Sequence, residues 1–297
     1  MTVIAGPRVR PQEEGTDYSH IGVTRYSASL GAIIDGVDLS QELSDDVIAE
    51  IRRALIEHLV IFFRGQEITP EQHLAFAKRF GTLNQHDQVK GMADYPDIIE
   101  VRQEPTDTRN FGGAWHGDVT YLPEPPLGSI LYAKELPPVG GDTLWANLYL
   151  AYDQLSPGMR AMCDPLVMMH TPAKIYGLAS LDWSKDSSMD SSPNTSAHYE
   201  TEHPLVRTHP ESHRKLIYVS GAYTPRFKDM SEEESTPLVD YLMDHVTREP
   251  FTCRWRWEVG DVAFWDNRAT LHYALNDYSG HRRVMHRVTI NGERPVA

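Results

Sequence analysis

"WHGDVTYLPEPPLGSILYAKELPPVGGDTLWAN", residues 115–147, is where the chain changes texture. Two runs inside it, GSILYAKEL (128–136) and GGDTLWANL (140–148), are short, rich in aliphatic and aromatic residues, and bounded by Pro-Pro and Gly-Gly pairs. That is the signature of strands closed by tight turns. The same texture continues outward to the C-terminus in KLIYVSGAY (215–223), FTCRWRW (251–257), DVAFWDN (261–267) and RVMHRVTING (283–292). Many short strands with few helices predict a mainly β fold, a sandwich or jelly-roll barrel with helices packed outside.

Upstream of the quoted stretch, residues 24–39 read as strand, turn and strand. Ser44 then opens a segment in which Val47, Ile48, Ile51, Leu55 and Leu59 fall at helical spacing. VIFFRG (60–65) reads as a buried strand. Thr69-Pro70 reads as an N-cap followed by Pro at the first helical position, with Gly81 as the residue that ends the helix. Further on, LAYDQLSPGMRAM (150–162) predicts a helical interruption with Ser156-Pro157 as a cap, and Ser231 with Glu234 forms a capping-box pattern for a helix reaching about His245. The Ser-rich stretch 171–202 is a loop long enough to be either disordered or a functional lid. Residues 1–20, with Pro, Gly and charge, read as a flexible arm, which leaves 21–297 as one domain with a lid at 171–202. No internal repeat and no linker divides it.

The net charge of −14 argues against a nucleic-acid-binding face and against an anionic membrane surface. No run approaches the roughly 18 apolar residues of a membrane span. Two cysteines, Cys163 and Cys253, cannot frame a chain of this size and read as reduced thiols of a cytoplasmic protein.

His116 and Asp118 sit one residue apart in the quoted stretch. In a strand, residues i and i+2 share a face, so both side chains would project together past Gly117. Such a pair is a structural hydrogen bond, half of an acid/base system, or two ligands of one metal. On spacing alone, the hydrogen bond is the simplest of these. A third ligand would have to come from elsewhere, and WDNRATLHYA (265–274) offers His272 just after an apolar strand. Two His and one carboxylate on one side of an ion form the facial triad of non-heme Fe(II) oxygenases.

A second pattern bears on this choice. Arg283 and Arg287 lie four apart in an otherwise apolar strand, so they face the same way. Two guanidiniums on one buried face are costly unless anions meet them. Arginine's planar fork suits carboxylate or sulfonate, so the pair is equipped for anionic small molecules, with ion pairs to the protein's own acids as the alternative. No nucleophile elbow, phosphate-cradling loop or H-E-x-x-H zinc motif is present. The tryptophans alternate along strands and read as core, with Trp265 also placed to wall a site near His272.

These motifs, in order along the chain from about residue 20, resemble the taurine dioxygenase family of Fe(II)/2-oxoglutarate-dependent oxygenases. The segments 209–230 and 291–297 are also similar to the aryloxyalkanoate dioxygenases. The resemblance implies a double-stranded β-helix, the cupin-like jelly roll, and an enzyme that uses Fe(II), 2-oxoglutarate and O2. It implies His116, Asp118 and His272 as iron ligands, and Arg283 with Thr143 as the holders of the distal carboxylate of 2-oxoglutarate. It implies Arg287 as the holder of the substrate's anionic head group, His86 as a substrate contact and Tyr223 as an aromatic wall. Taurine-specific members carry a tyrosine where this chain has Val89 and an asparagine at the position of Gly112, which implies a larger and more apolar pocket here.

The implied reaction is hydroxylation at a carbon next to a heteroatom of a small or medium organic anion: an alkylsulfonate, a sulfate ester or an aryloxyalkanoate. Succinate and CO2 are the co-products. Dimers or tetramers are the family's usual assemblies. The competing reading is a redox-inactive metal-binding cupin, a lyase or ligand-binding protein, which would use the same triad without needing Arg283 and Thr143.

Overall fold

The computed structural model describes residues 17–108, 111–176, 188–189 and 200–297. Most of the expected arm (1–16) and most of the expected lid (177–187 and 190–199) lie outside the described residues. Residues 18–20 dock on the first helix, where the Tyr18 hydroxyl donates to Glu57 and the Ser19 and His20 amides donate to Glu50.

The N-terminal third forms mostly as the sequence predicts. Strands β1 (Gly22–Arg25) and β2 (Ala32–Asp35) pair antiparallel. Helix α1 (Asp45–His58) starts on Ser44, whose hydroxyl accepts from the Val47 amide, and it buries Ile48, Ile51 and Leu55 along one stripe. β3 (Val60–Phe63) is wholly buried. α2 (Pro70–Lys78) opens with a reciprocal capping box between Thr69 and Gln72. It ends at Lys78 with Arg79 as its cap, short of the expected stop at Gly81, which has no positive φ and so is not a left-handed cap. Gly81 serves packing instead: a Cβ there would stand 2.9 Å from the Ile290 side chain.

β4 (Leu83–Asn84) and β5 (Ile98–Gln103) follow. The two runs of the 115–147 stretch become β6 (Gly128–Glu135) and β7 (Thr143–Asn147). The helical segment after them is two helices, α3 (Leu148–Asp153) and α4 (Pro157–Cys163), with Ser156 capping the second. Next come β8 (Val167–His170), α5 (Ala173–Tyr176), β9 (Thr201–Pro204), β10 (Val206–Thr208), β11 (Lys215–Ile217) and β12 (Arg226–Phe227). α6 (Glu232–Val246) has the expected Ser231/Glu234 capping box. The chain then forms β13 (Thr252–Trp255), β14 (Val262–Asp266), β15 (Thr270–Ala274) and β16 (Arg283–Ile290).

Two sheets carry the architecture, a mainly β jelly roll with peripheral helices. The larger runs β1-β2-β3-β14-β6-β16-β4, with β5 also on β16, and the smaller runs β13-β7-β15. Between them lie Phe62, Trp145, Trp255 and Trp265, and the Phe62 and Trp255 rings stack with centroids 3.9 Å apart. The other face of the larger sheet is covered by α1 and α2 through Ile51, Phe76, Ile130 and Phe264. Buried on both faces, β14 and β16 show no alternation of exposure, and β16 carries Arg283, His286 and Arg287 within its buried run. β6 can pair with β14 at this register only because residue 128 is Gly, since a Cβ there would sit 2.3 Å from the Trp265 carbonyl oxygen. Among the described residues, no helix is long and apolar enough to cross a membrane.

Candidate active site

The triad is not built on a strand as the i, i+2 argument supposes. His116 makes a single bridge to β15: its amide donates to the His272 carbonyl at 3.0 Å, and the His272 amide returns a bond of 2.8 Å. This exchange sets the two rings side by side, with centroids 4.1 Å apart. Asp118 lies in the turn that follows, ahead of Val119 at a positive φ of 39°. Its Oδ1 is 3.8 Å from the Nε2 of each histidine. That is too long for a hydrogen bond, so the hydrogen-bonded-pair reading of His116 and Asp118 fails. The three ligand atoms all lie within 4.8 Å of one another, and no other such group occurs among the described residues.

The electrostatics fit a cation. Burial pushes the His116 ring below its usual range and His272 down to about 3, so both imidazoles are neutral. The His116 Nδ1 lies 2.7 Å from the Ala114 carbonyl. A carbonyl only accepts, so Nδ1 carries the proton and Nε2 presents its lone pair toward Asp118. Burial alone would raise the Asp118 carboxyl, but the Arg287 guanidinium first, with the Ser129 hydroxyl, holds it well below the usual carboxylate range. Ser129 donates to its Oδ2 at 2.8 Å and Arg287 to its Oδ1 at 3.0 Å. Two neutral imidazoles and one carboxylate are the deprotonated donor set that a divalent ion requires.

Arg283 and Arg287 both project from β16 into a small inner cavity shared with Thr143, Trp265 and His272. Arg287 meets one of the protein's own acids, Asp118. Arg283 is different: it is 5% exposed, and its Nε and Nη2 have no hydrogen-bond partner among the described residues. Buried guanidinium donors without a partner mark a place built for an anion. Gly141, at a φ of 74°, makes room for this side chain, since a Cβ there would stand 3.2 Å from the Arg283 Cδ. The Thr143 hydroxyl accepts from the Trp257 indole at 3.0 Å, which leaves its own proton to donate.

An outer cavity of about 230 Å³ adjoins the triad, lined by His86, Phe111, Ile175, Ala222 and Tyr223 among others. The His86 Nδ1 accepts from the Gln88 amide at 3.0 Å, so Nε2 bears the proton of a ring that burial and Arg287 push down to about 4. Tyr223 meets Tyr121 edge-on at 5.0 Å. Gly112, at a φ of 80°, lines both cavities, and a Cβ there would lie 3.3 Å from the His116 Cε1. Val89 is placed differently from the sequence-based expectation: it packs with Ile99 and Met189 in a cluster that Phe111 joins, and it lines neither cavity. A larger groove, about 390 Å³ at Leu39, Gln72 and Arg79, holds none of this chemistry.

Several residues of the site carry no motif in the sequence. Phe111 lines both cavities, with the Arg287 guanidinium 5.3 Å from its ring. Ser129 and Trp257 read as ordinary strand residues, yet each holds a functional oxygen. Asn267 brackets the Asp118 backbone from the β14–β15 turn. Only its place in the WDN run, five residues before His272, hints at this.

A jelly roll that carries two histidines and a carboxylate beside two buried arginines fits the non-heme Fe(II) oxygenase class. The chain is a member of the family described as "Taurine catabolism dioxygenase TauD, TfdA family", whose model matches residues 22–289. It is 40% identical over 280 residues to an alpha-ketoglutarate-dependent sulfate ester dioxygenase of Pseudomonas putida, covering 93% of this chain and 91% of that protein. It is 31% identical over 276 residues to an alpha-ketoglutarate-dependent 2,4-dichlorophenoxyacetate dioxygenase of Cupriavidus pinatubonensis, covering 88% and 94%. The crystal structure of a taurine dioxygenase from Burkholderia xenovorans superposes with a TM-score of 0.79 at 37% identity, over 94% of this chain and 93% of that one. This chain is therefore a 2-oxoglutarate-dependent dioxygenase that uses Fe(II), 2-oxoglutarate and O2. The redox-inactive cupin reading gives way to it.

Proposed function

We propose that the enzyme oxidises a medium-sized organic anion with an apolar tail, an alkyl sulfate ester in preference to taurine. The observation that carries this is the junction of the two cavities. There Arg287 brings charge toward an oxyanion beside the His86 ring, while Phe111, Ile175, Ala222 and Tyr223 offer an apolar wall. An alkyl tail gains roughly 25 cal/mol per Å² of surface it buries against such a wall, which the short polar chain of taurine lacks. The similarity to a sulfate ester dioxygenase supports the same choice.

In this reading His116, Asp118 and His272 hold Fe(II), and Arg283 with Thr143 grips the distal carboxylate of 2-oxoglutarate. With both bound, the chemistry supplied is O2-dependent hydroxylation coupled to conversion of 2-oxoglutarate into succinate and CO2. The chain's residues do the rest. Arg283 satisfies its two unpartnered donors on the cosubstrate. Arg287 and His86 fix the head group, so the carbon beside the ester oxygen faces the triad. The apolar wall keeps water away from the reacting carbon. Hydroxylation at that carbon gives a hemiacetal-type sulfate, which collapses to an aldehyde and inorganic sulfate.

Residues 21–297 act as one catalytic unit, and the lid expected at 171–202 falls mostly on 177–187 and 190–199, outside the described residues. The protein is cytoplasmic and assembles as a dimer or tetramer. The two buried free cysteines are in keeping with a reducing compartment.

A succinate-release screen across linear alkyl sulfates, alkylsulfonates including taurine, and aryloxyalkanoates tests the substrate class. The expected result is the highest kcat/KM for an alkyl sulfate, with one sulfate released per succinate. A higher kcat/KM for taurine or for an aryloxy acid would reject it.

A further inference from the structure

The inference concerns how Asp118 is held, and it rests on the assignment of His116, Asp118 and His272 as metal ligands. Val119, the next residue, has a φ of 39°. A β-branched residue in the left-handed region is a steric outlier, and such strain persists only where the surroundings over-determine it. Val119 is also buried, at 3% exposure, so the packing around it restrains the turn as well.

The restraint is visible. The Asn267 side chain closes a two-way bracket on the Asp118 backbone: the Asp118 amide donates to Oδ1 at 2.7 Å, and Nδ2 donates to the Asp118 carbonyl at 3.1 Å. The same Nδ2 reaches the Pro126 carbonyl at 3.3 Å, and the Asn267 amide donates to the Leu127 carbonyl at 2.9 Å. Asn267 thus ties the Asp118 turn to the segment entering β6, whose Ser129 holds the Asp118 Oδ2. It does so from the turn between β14 and β15, and β15 carries His272. Gly117 admits this approach, since a Cβ there would already stand 3.0 Å from the Thr120 side chain and 3.6 Å from the Asn267 Oδ1. The amide is 1% exposed, and all its contacts go to backbone groups that need partners in a dry interior.

We infer that Asn267 is the positioning residue of the metal site: its bracket holds the strained Asp118–Val119 turn and so sets the Asp118 carboxylate against His116 and His272. Asn267 touches neither metal nor substrate. Without it, the turn relaxes toward negative φ at Val119, and Oδ1 leaves the position it shares with the two Nε2 atoms.

The test measures Co(II) affinity and the Co(II) visible spectrum of the full-length protein, alongside thermal stability. Wild type, Asn267→Ala, Asn267→Asp, Val119→Gly and the double variants are compared. Asn267→Asp keeps the acceptor and loses the donor, and it stands in if the alanine variant does not fold. Outer-sphere partners of metal ligands contribute about 10- to 100-fold in affinity, and a loss of that order with altered band positions is expected for Asn267→Ala. Glycine occupies a φ of 39° without penalty. Val119→Gly should therefore retain Co(II) affinity and reduce the effect of removing Asn267 to within a few-fold.

A merely structural Asn267 would lower thermal stability without moving Co(II) affinity or spectrum, and that result overturns the inference. So does a Val119→Gly background that leaves the loss at full size. If wild type itself binds no Co(II), or Asp118→Ala binds it unchanged, the ligand assignment fails and this inference falls with it.

Discussion

Replacing Arg283 with methionine should move affinity and stability in opposite directions. The side chain is buried, and two of its guanidinium nitrogens have no partner among the described residues. In the free protein these donors are a liability of about 1–3 kcal/mol for the unsatisfied group. Methionine fills similar volume without a charge, so the ligand-free variant should melt higher than wild type, by about 2–4 °C per kcal/mol regained. In the complex the balance reverses. Each charge-assisted hydrogen bond to a carboxylate contributes roughly 1.5–3 kcal/mol. Losing two costs about 3–6 kcal/mol, which is about 10²- to 10⁴-fold in 2-oxoglutarate affinity. Two assays check this: thermal denaturation with and without 2-oxoglutarate on protein loaded anaerobically with Fe(II), and the 2-oxoglutarate KM from succinate release. In wild type, ligand at a hundred times its Kd should add about 2.7 kcal/mol of stability, and the variant should show almost none of this at the same concentration. A 2-oxoglutarate KM within tenfold of wild type, or a ligand-free variant that melts lower, would refute the assignment of Arg283 as an anion site.

The remaining predictions concern the rest of the pocket and its titration. Arg287→Ala should raise the KM for the organic anion about a hundredfold, the value of one or two charge-assisted bonds, while changing the 2-oxoglutarate KM far less; equal effects on both would reject a head-group role. Gly112→Ala should cost about 1–2 kcal/mol, because residue 112 sits at a φ of 80°, and should weaken Co(II) binding, because the new Cβ crowds the His116 ring. Melting and metal titration check this, and Gly112→Asn should be milder because asparagine tolerates the left-handed region. In the metal-free protein, burial holds His73 and His272 at about 3 and His86 and His203 at about 4. Each ring is depressed in the folded state, so unfolding takes up a proton as the pH falls. Stability should be full above about pH 6.5 and decline below it, at up to about 1.4 kcal/mol per pH unit for each ring. A melting temperature that stays flat from pH 7.5 to 5 would contradict this.

How much of the site was legible in the sequence varied with the kind of residue. With 14 histidines and 42 acidic residues in the chain, spacing alone left His116 and Asp118 undecided, and the family resemblance named them with His272; two arginines in an otherwise apolar strand are conspicuous by themselves. The route to the first pair was nonetheless inexact. Strand geometry predicts that His116 and Asp118 share a face, whereas the chain has a single bridge at His116 and a strained turn at Asp118. Their convergence comes from backbone bonds to β15 and from Asn267. Val89 is a different case. It is apolar and near His86 in sequence, but the chain path turns it into a packed cluster. Phe111, Ser129 and Trp257 were not legible at all, since each is an ordinary residue whose partner lies elsewhere in the chain.

The sequence by itself determined most of the element types and the sign of the charge that the arginine strand asks for. Alternation, turn residues and caps act over a few residues, and charge needs no coordinates. Which atoms meet was decided only by the tertiary structure. The distances of 3.8 Å from the Asp118 Oδ1 to both imidazoles exclude a hydrogen bond and leave room for an ion. The same packing pairs one arginine with Asp118 and leaves two nitrogens of the other without a partner. Neither outcome follows from spacing, because β16 meets the 115–147 segment only through contacts between residues more than a hundred positions apart, where burial and register, rather than local propensity, set the geometry.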